Sequence, residues 1–194
     1  MVSEDKLKRG KAMLTAKKPL SNFPVWQTIH FVRLGASFER LADFGRMKEI
    51  PVYGETGSLS HIKGPVSPKG MATLIIATTM ELGFGATERY SYLEFLTRAH
   101  EYNLTPCRYV VGPQLVFNTE NNLLDGEICL ATDPNGLRNR NELRSYGYDH
   151  VTLSVGYGEV NNEKRHRYLN VGFLQTEEKT EFYPDTGWVF ETIE

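Results

Sequence analysis

The sequence predicts an α+β protein: a mainly antiparallel, twisted sheet of about six or seven strands, packed on one principal helix near 91–102 and a shorter helix near 38–44. Three observations carry this. The stretch from Leu82 to Phe117 contains a fully signalled helix. The stretch from Tyr148 to Leu174 alternates apolar and polar residues in two matching runs, the pattern of an antiparallel pair. Strands do not alternate with helices often enough for a doubly wound parallel sheet.

In chain order, residues 1–20 are rich in Lys and Arg and read as a flexible or weakly docked arm before a single domain over 21–194. Val25 to Leu34 alternates as a strand, with Val25, Gln27, Ile29, Phe31 and Arg33 on one side. Ser37 stands as cap of a short helix whose Phe38, Leu41 and Ala42 share a face and which Gly45 ends. Residues 48–70 hold four Gly and three Pro in a polar background and predict a long irregular connection. Met71 to Met80 is apolar and β-branched, a buried strand.

The principal helix follows. Ser91-Tyr92-Leu93-Glu94 has capping-box form, in which hydroxyl and carboxylate each satisfy an otherwise orphaned backbone N–H. Tyr90 and Phe95 stand at staple spacing, and Tyr92, Phe95, Leu96 and Ala99 make one buried face. Arg98 and His100 suit the negative end of the helix, Asn103 closes it, and Pro106 forbids continuation. Tyr109 to Val111 and Leu115 to Phe117 read as strand broken by Gly112-Pro113, leading to a hairpin centred near Asn121-Asn122 that sets Cys129 opposite Gln114.

Glu127 to Ala131 is a short strand, and Asp133 to Gly136 is a turn. Leu137 to Tyr146 carries Arg138, Arg140 and Arg144 as a helical turn or loop. Tyr148 to Tyr157 and Arg167 to Leu174 form a hairpin about Asn161-Asn162, with Val151, Leu153 and Val155 inward and His150, Thr152 and Ser154 outward. Gly187 to Ile193 makes a last strand.

A net charge of -2 and a pI near 6.2 give no overall electrostatic case for nucleic acid or an anionic membrane. The opening residues lack the apolar run of a secretory signal, and no apolar stretch is long enough to span a bilayer, so a cytoplasmic location is expected. Cys107 and Cys129 are expected to be free, buried thiols.

Motifs for chemistry are sparse. Gly83-Phe84-Gly85 sits between strand and helix, but Glu88 replaces the third glycine of a dinucleotide fingerprint, and the cap at Ser91 starts the helix too late to serve a pyrophosphate. The histidines at 30, 61, 100, 150 and 166 have no paired metal spacing, so no metal or other cofactor is expected. Cys107 with His100 would need the chain to fold back to activate a thiolate. Two features favour binding instead. Tyr148, His150, Thr152, Ser154, Tyr168 and Asn170 are expected on one polar, aromatic sheet face. Arg138, Arg140 and Arg144, with Lys164 to Arg167, would hold an anion if the two loops meet.

From Leu82 onward, about half the chain resembles a family of small uncharacterised bacterial proteins. The resemblance rests on Leu82-Gly83-Phe84, Leu104 to Cys107, Gly112-Pro113-Gln114-Leu115, Gly126-Glu127 with Ala131 and Pro134, and Trp188-Val189-Phe190. Val116 departs from the basic residue that follows Gly-Pro-x-Leu in that family. The resemblance implies shared architecture and no particular reaction.

The expectation is therefore a cytoplasmic binding or interaction protein without a catalytic centre, its partner a protein or a small anionic ligand, or a second copy of itself. The alternative is a small hydrolase or transferase acting on a nucleotide-like anion, with His150 or Cys107 in the active role. A concave pocket bringing an Arg cluster to either residue would favour the enzyme.

Overall fold

A computed structural model describes residues 23–64, 69–138, 140–159 and 165–192. The proposed arm, residues 65–68 of the irregular connection, and the Asn161-Asn162 loop lie outside the described residues. Strand β1 (Val25–His30) is followed by a 3-10 turn and helix α1 (Leu41–Met47), then β2 (Val52–Gly54), a second 3-10 turn (Thr56–His61) and β3 (Met71–Thr78). Next come β4 (Arg89–Tyr90), α2 (Tyr92–Glu101), β5 (Leu104–Pro106), α3 (Val111–Phe117) and β6 (Gly126–Leu130). The chain then forms α4 (Arg140–Ser145), β7 (His150–Gly158), β8 (His166–Leu174), β9 (Thr180–Glu181) and β10 (Gly187–Thr192).

The α+β class holds, but the sheet is mixed rather than mainly antiparallel. It has eight strands, in the order β1-β3-β10-β6-β7-β8-β2, with β5 also on β10, and β4-β9 form a separate pair. The last strand inserts beside β3 and runs parallel to β6 at Trp188 and Val189, while β5 pairs antiparallel with the other half of the same edge. The second parallel pair is β2 on β8. Both arise from long-range insertion rather than from a hairpin, so local alternation carries no sign of them.

The principal helix forms as its signals require. Ser91 Oγ accepts from the Glu94 amide at 3.1 Å and Glu94 returns the bond to the Ser91 amide at 2.8 Å. That second bond holds the Glu94 carboxyl below its ordinary pKa. Tyr92, Phe95 and Ala99 are fully buried, and Asn103 takes φ +60 at the exit. The helix rests on Trp188 and Phe190, with the Phe95 and Trp188 rings 4.7 Å apart, in an aromatic core that Phe84 and Tyr90 extend.

The opposite face is covered by α1 and α3. Here the sequence reading fails, because residues 111–117 are helical, not extended. An apolar run buried on every side has no periodicity to separate helix from strand. Pro113 falls in the first turn, where no backbone N–H is required, and a Cβ on Gly112 would lie 3.2 Å from Leu153 and from Leu169, so glycine lets the helix seat closely on the sheet. The hairpin at 121–122 is therefore absent, and Cys129 stands opposite Ser154 and Trp188 rather than Gln114. Gln114 instead accepts from the Val32 amide at 3.0 Å and donates to the Val32 carbonyl at 2.8 Å, satisfying the chain beyond β1.

Three smaller expectations change. Ser37 makes no side-chain cap, and Gly45 lies within α1 rather than ending it; a Cβ there would approach the Ile50 carbonyl to 2.5 Å, so glycine serves the close return of the chain. The stretch 48–70 contains β2 and a 3-10 turn and is not irregular throughout. β1 stops at His30 and carries a register shift between Val25 and Gln27.

Candidate functional site: an aromatic cleft beside the hairpin

The site lies on the α3 side of the sheet, where the 3-10 turn at Thr56–His61 faces α4. These walls are clamped together. Ile62 bridges Leu137, the Lys63 amide donates to the Gly136 carbonyl at 2.8 Å, and the Arg138 amide donates to the His61 carbonyl. Leu59, Ile62, Leu137 and Leu143 belong to the core beneath, and Leu143 reaches the cavity lining.

Helix α4 ends in a way that throws its following residues outward. The Tyr148 amide donates to the Leu143 carbonyl at 3.2 Å, the Gly147 amide donates to the Arg144 carbonyl at 3.0 Å, and Gly147 takes φ +83. This is the Schellman arrangement, for which glycine is suited because it lacks the Cβ that penalises a left-handed backbone. Tyr146 and Tyr148 flank that glycine and remain 69% and 40% exposed. Tyr148 stacks on Phe173 of β8 at 4.9 Å and 15°. Together with Glu55, His61 and Glu142 these rings line a cavity of about 580 Å³. His61 Nδ1 lies 3.8 Å from the Glu142 carboxylate. A larger hollow of about 640 Å³ beside α1 is lined by Arg40, Asp43, Phe44, Met47 and small loop residues, with one aromatic ring against three in the cleft.

The residues expected on one polar face divide between places. Thr152, Ser154, Tyr168 and Asn170 do share a face, on the side of the sheet opposite the cleft. Ser154 Oγ donates to the Glu127 carboxylate, Asn170 donates to the same oxygen at 3.2 Å, and Tyr168 lies across Gly156, where a Cβ would meet its ring at 2.3 Å. Tyr53 and His166, bonded at 3.1 Å, complete this surface. The sequence reading missed Tyr53 because a three-residue strand has too short a pattern to register. Tyr148 is not part of this face: it precedes β7, so alternation does not govern it, and it turns to Phe173.

His150 is not outward either. It is fully buried, stacked on Tyr92 at 4.8 Å, with Nδ1 3.1 Å from the Tyr109 hydroxyl and Nε2 3.0 Å from the Thr132 hydroxyl. Tyr109 donates its own proton to the Val151 carbonyl at 2.8 Å, which makes the imidazole Nδ1–H the donor to Tyr109. Burial pushes the His150 pKa down to about 3. A neutral, sealed imidazole with both nitrogens occupied has no route to a substrate.

The arginines do not meet. Arg138 and Arg144 are exposed near the start of β7, Arg140 pairs with Asp149 at 3.5 Å, and Arg144 faces a separate pocket across Tyr148. Arg165 and Arg167 lie at the far end of the nine-residue β7–β8 ladder, roughly 25 Å away at about 3.3 Å per residue. Arg165 pairs with Asp125. Arg167 donates to the carbonyls of Leu115, Asn118, Thr119 and Asn121, closing the C-terminal end of α3.

Cys107 and Cys129 are both free, Cys107 buried and Cys129 partly so. Burial raises both thiols, Cys129 to about 12, so neither is a ready thiolate. Cys107 Sγ bonds to the Val189 carbonyl at 3.2 Å while His100 is exposed at the helix end, so the two form no pair. Among the described residues no group of His, Cys, Asp and Glu could hold a metal ion, and no helix is long and apolar enough to cross a membrane.

No family model, no curated protein and no solved structure matches the chain.

Proposed function

We propose that this is a binding protein without a catalytic centre of its own, and that its ligand lies in the cleft between the Thr56–His61 turn and α4. The observation that carries the reading is the pair of exposed tyrosines, Tyr146 and Tyr148, held at the mouth of a 580 Å³ cavity by a Schellman-capped helix and by the stack on Phe173. Concave sites that combine apolar rings with a few convergent polar groups are where small ligands bind. Neither residue proposed for catalysis from the sequence is accessible: His150 and Cys107 are sealed, and no arginine cluster reaches them.

The alternative, a small hydrolase or transferase acting on a nucleotide-like anion, draws on the proximity of His61 and Glu142 in the same cleft, since a carboxylate beside an imidazole orients a general base. Against it, the cleft lining among the described residues includes the carboxylates of Glu55 and Glu142 and neither Lys nor Arg.

A thermal-shift screen against nucleotides, sugars, organic cations and divalent metals tests the proposal. The expected result is a saturable rise in melting temperature with one small-ligand class, lost in Tyr148→Ala and kept in Thr152→Ala on the opposite face. Retention of the rise in Tyr148→Ala would move the site elsewhere. Turnover of a phosphate ester that disappears in His61→Gln would favour the enzyme.

A further inference from the structure

Resting on that reading, we infer that the cleft recognises a soft organic cation, an alkylated ammonium or a guanidinium, through its aromatic rings and carboxylates. Two independent features of the lining agree. The first is the set of three rings, Tyr146, Tyr148 and Phe173, two of them stacked at 15° and both tyrosines open to solvent. The face of such a ring carries negative quadrupolar charge and attracts a cation whose hydration is weak enough to shed.

The second is charge. Among the described residues, Glu55 and Glu142 line the same cavity with neither Lys nor Arg beside them, and no ion pair involves Glu55. The neighbouring pocket across Tyr148 holds Arg144 and Glu177, and its Asp149 is paired with Arg140, so the charges there balance. An anionic ligand would have to enter against these carboxylates. A neutral ring would leave the Glu55 charge without any partner from the ligand. An organic cation uses both features together.

The rings sit on rigid supports, which lowers the ordering cost of binding. Tyr148 is fixed by the Leu143 carbonyl on one side and by the Phe173 stack on the other. His61 and Glu142 lie side by side at 3.8 Å and so present polar atoms to the ligand's remaining groups. The same chemistry is available from a free small molecule or from an arginine side chain on another protein.

The test is calorimetric titration of the full chain with choline, with 3,3-dimethylbutanol as its uncharged isostere, with a short blocked peptide carrying one arginine, and with adenosine monophosphate. Choline or the arginine peptide should bind about tenfold tighter than the isostere. Glu55→Gln and Tyr148→Ala should each weaken the cation severalfold while still melting cooperatively, which separates a lost ring from a lost fold, and Tyr148→Phe, which keeps the ring, should retain binding. Tighter binding of the peptide than of choline would assign the cation to a protein side chain, and the reverse to a free small molecule. Equal binding of choline and the isostere at a site lost in Tyr148→Ala would overturn the cation class while leaving the binding site in place. Preference for adenosine monophosphate would overturn the class as well. No saturable heat with any probe, from protein that melts cooperatively, would overturn the cation, while the cleft itself stands or falls by the thermal-shift screen.

Discussion

At the scale of a single residue, His150 is a core group whose charge state the fold controls. Alternation correctly puts it on the face opposite Val151 and Leu153, but alternation does not say which part of that face is covered. Tyr92 of α2 covers this end of β7, so a residue expected in solvent becomes a neutral core group bonded to Tyr109 and Thr132. Its pKa is depressed from 6.5 to about 3 by burial. Between those values the unfolded chain binds a proton that the folded chain refuses. The residue's contribution to stability is therefore complete above about pH 6.5 and is lost as pH falls toward about 3, by up to about 1.4 kcal/mol per pH unit. Urea midpoints of the native protein and of His150→Gln, followed from pH 7 to pH 4, should converge on acidification. Parallel curves would mean that His150 titrates in the folded state much as it does when unfolded.

Elements were legible where their signals are local. The capping box at Ser91, the staple and the left-handed Asn103 place α2 correctly because each involves residues within one turn. Helix α3 was not legible, since its burial on all sides erases periodicity, and β2 was not, since its pairing with β8 is visible only once β8 is in place. Gly54 carries that edge: it has φ +75, and a Cβ would meet the Val171 carbonyl at 2.1 Å. The end of α4 matters most for the site. Gly147→Ala has room for its methyl group but strains a backbone at φ +83, and should lower stability by about 1–2 kcal/mol. Ser91→Ala should cost about 1 kcal/mol through the lost cap. Only the first should also disturb the cleft, because it loosens Tyr146 and Tyr148. Chemical denaturation gives both costs, and ligand titration separates them; equal effects on binding would show that the cleft does not depend on the Gly147 turn.

At the scale of the whole molecule, the sequence conveyed the class but not the mixed sheet. The last strand, β10, lies between β3 and β6, and its pairings span most of the chain. No local pattern encodes such an insertion. Its consequence is a sheet covered on both faces, by α2 on one side and by α1 and α3 on the other, with two different surfaces left over. One is the polar face of Thr152, Ser154, Tyr168 and Asn170, in which Ser154 and Tyr168 are themselves buried. The other is the aromatic cleft, of which the sequence foresaw only Tyr148, as a member of the wrong face. The central claim is that binding belongs to the cleft. Amide chemical-shift mapping by NMR, during titration with choline or the arginine peptide, tests this most directly. The account predicts perturbations at Ser58, His61, Tyr146, Tyr148 and Phe173, with Thr152, Ser154 and Asn170 unmoved. Perturbations centred on β7 and β8 around Ser154 and Asn170, with the cleft silent, would contradict it.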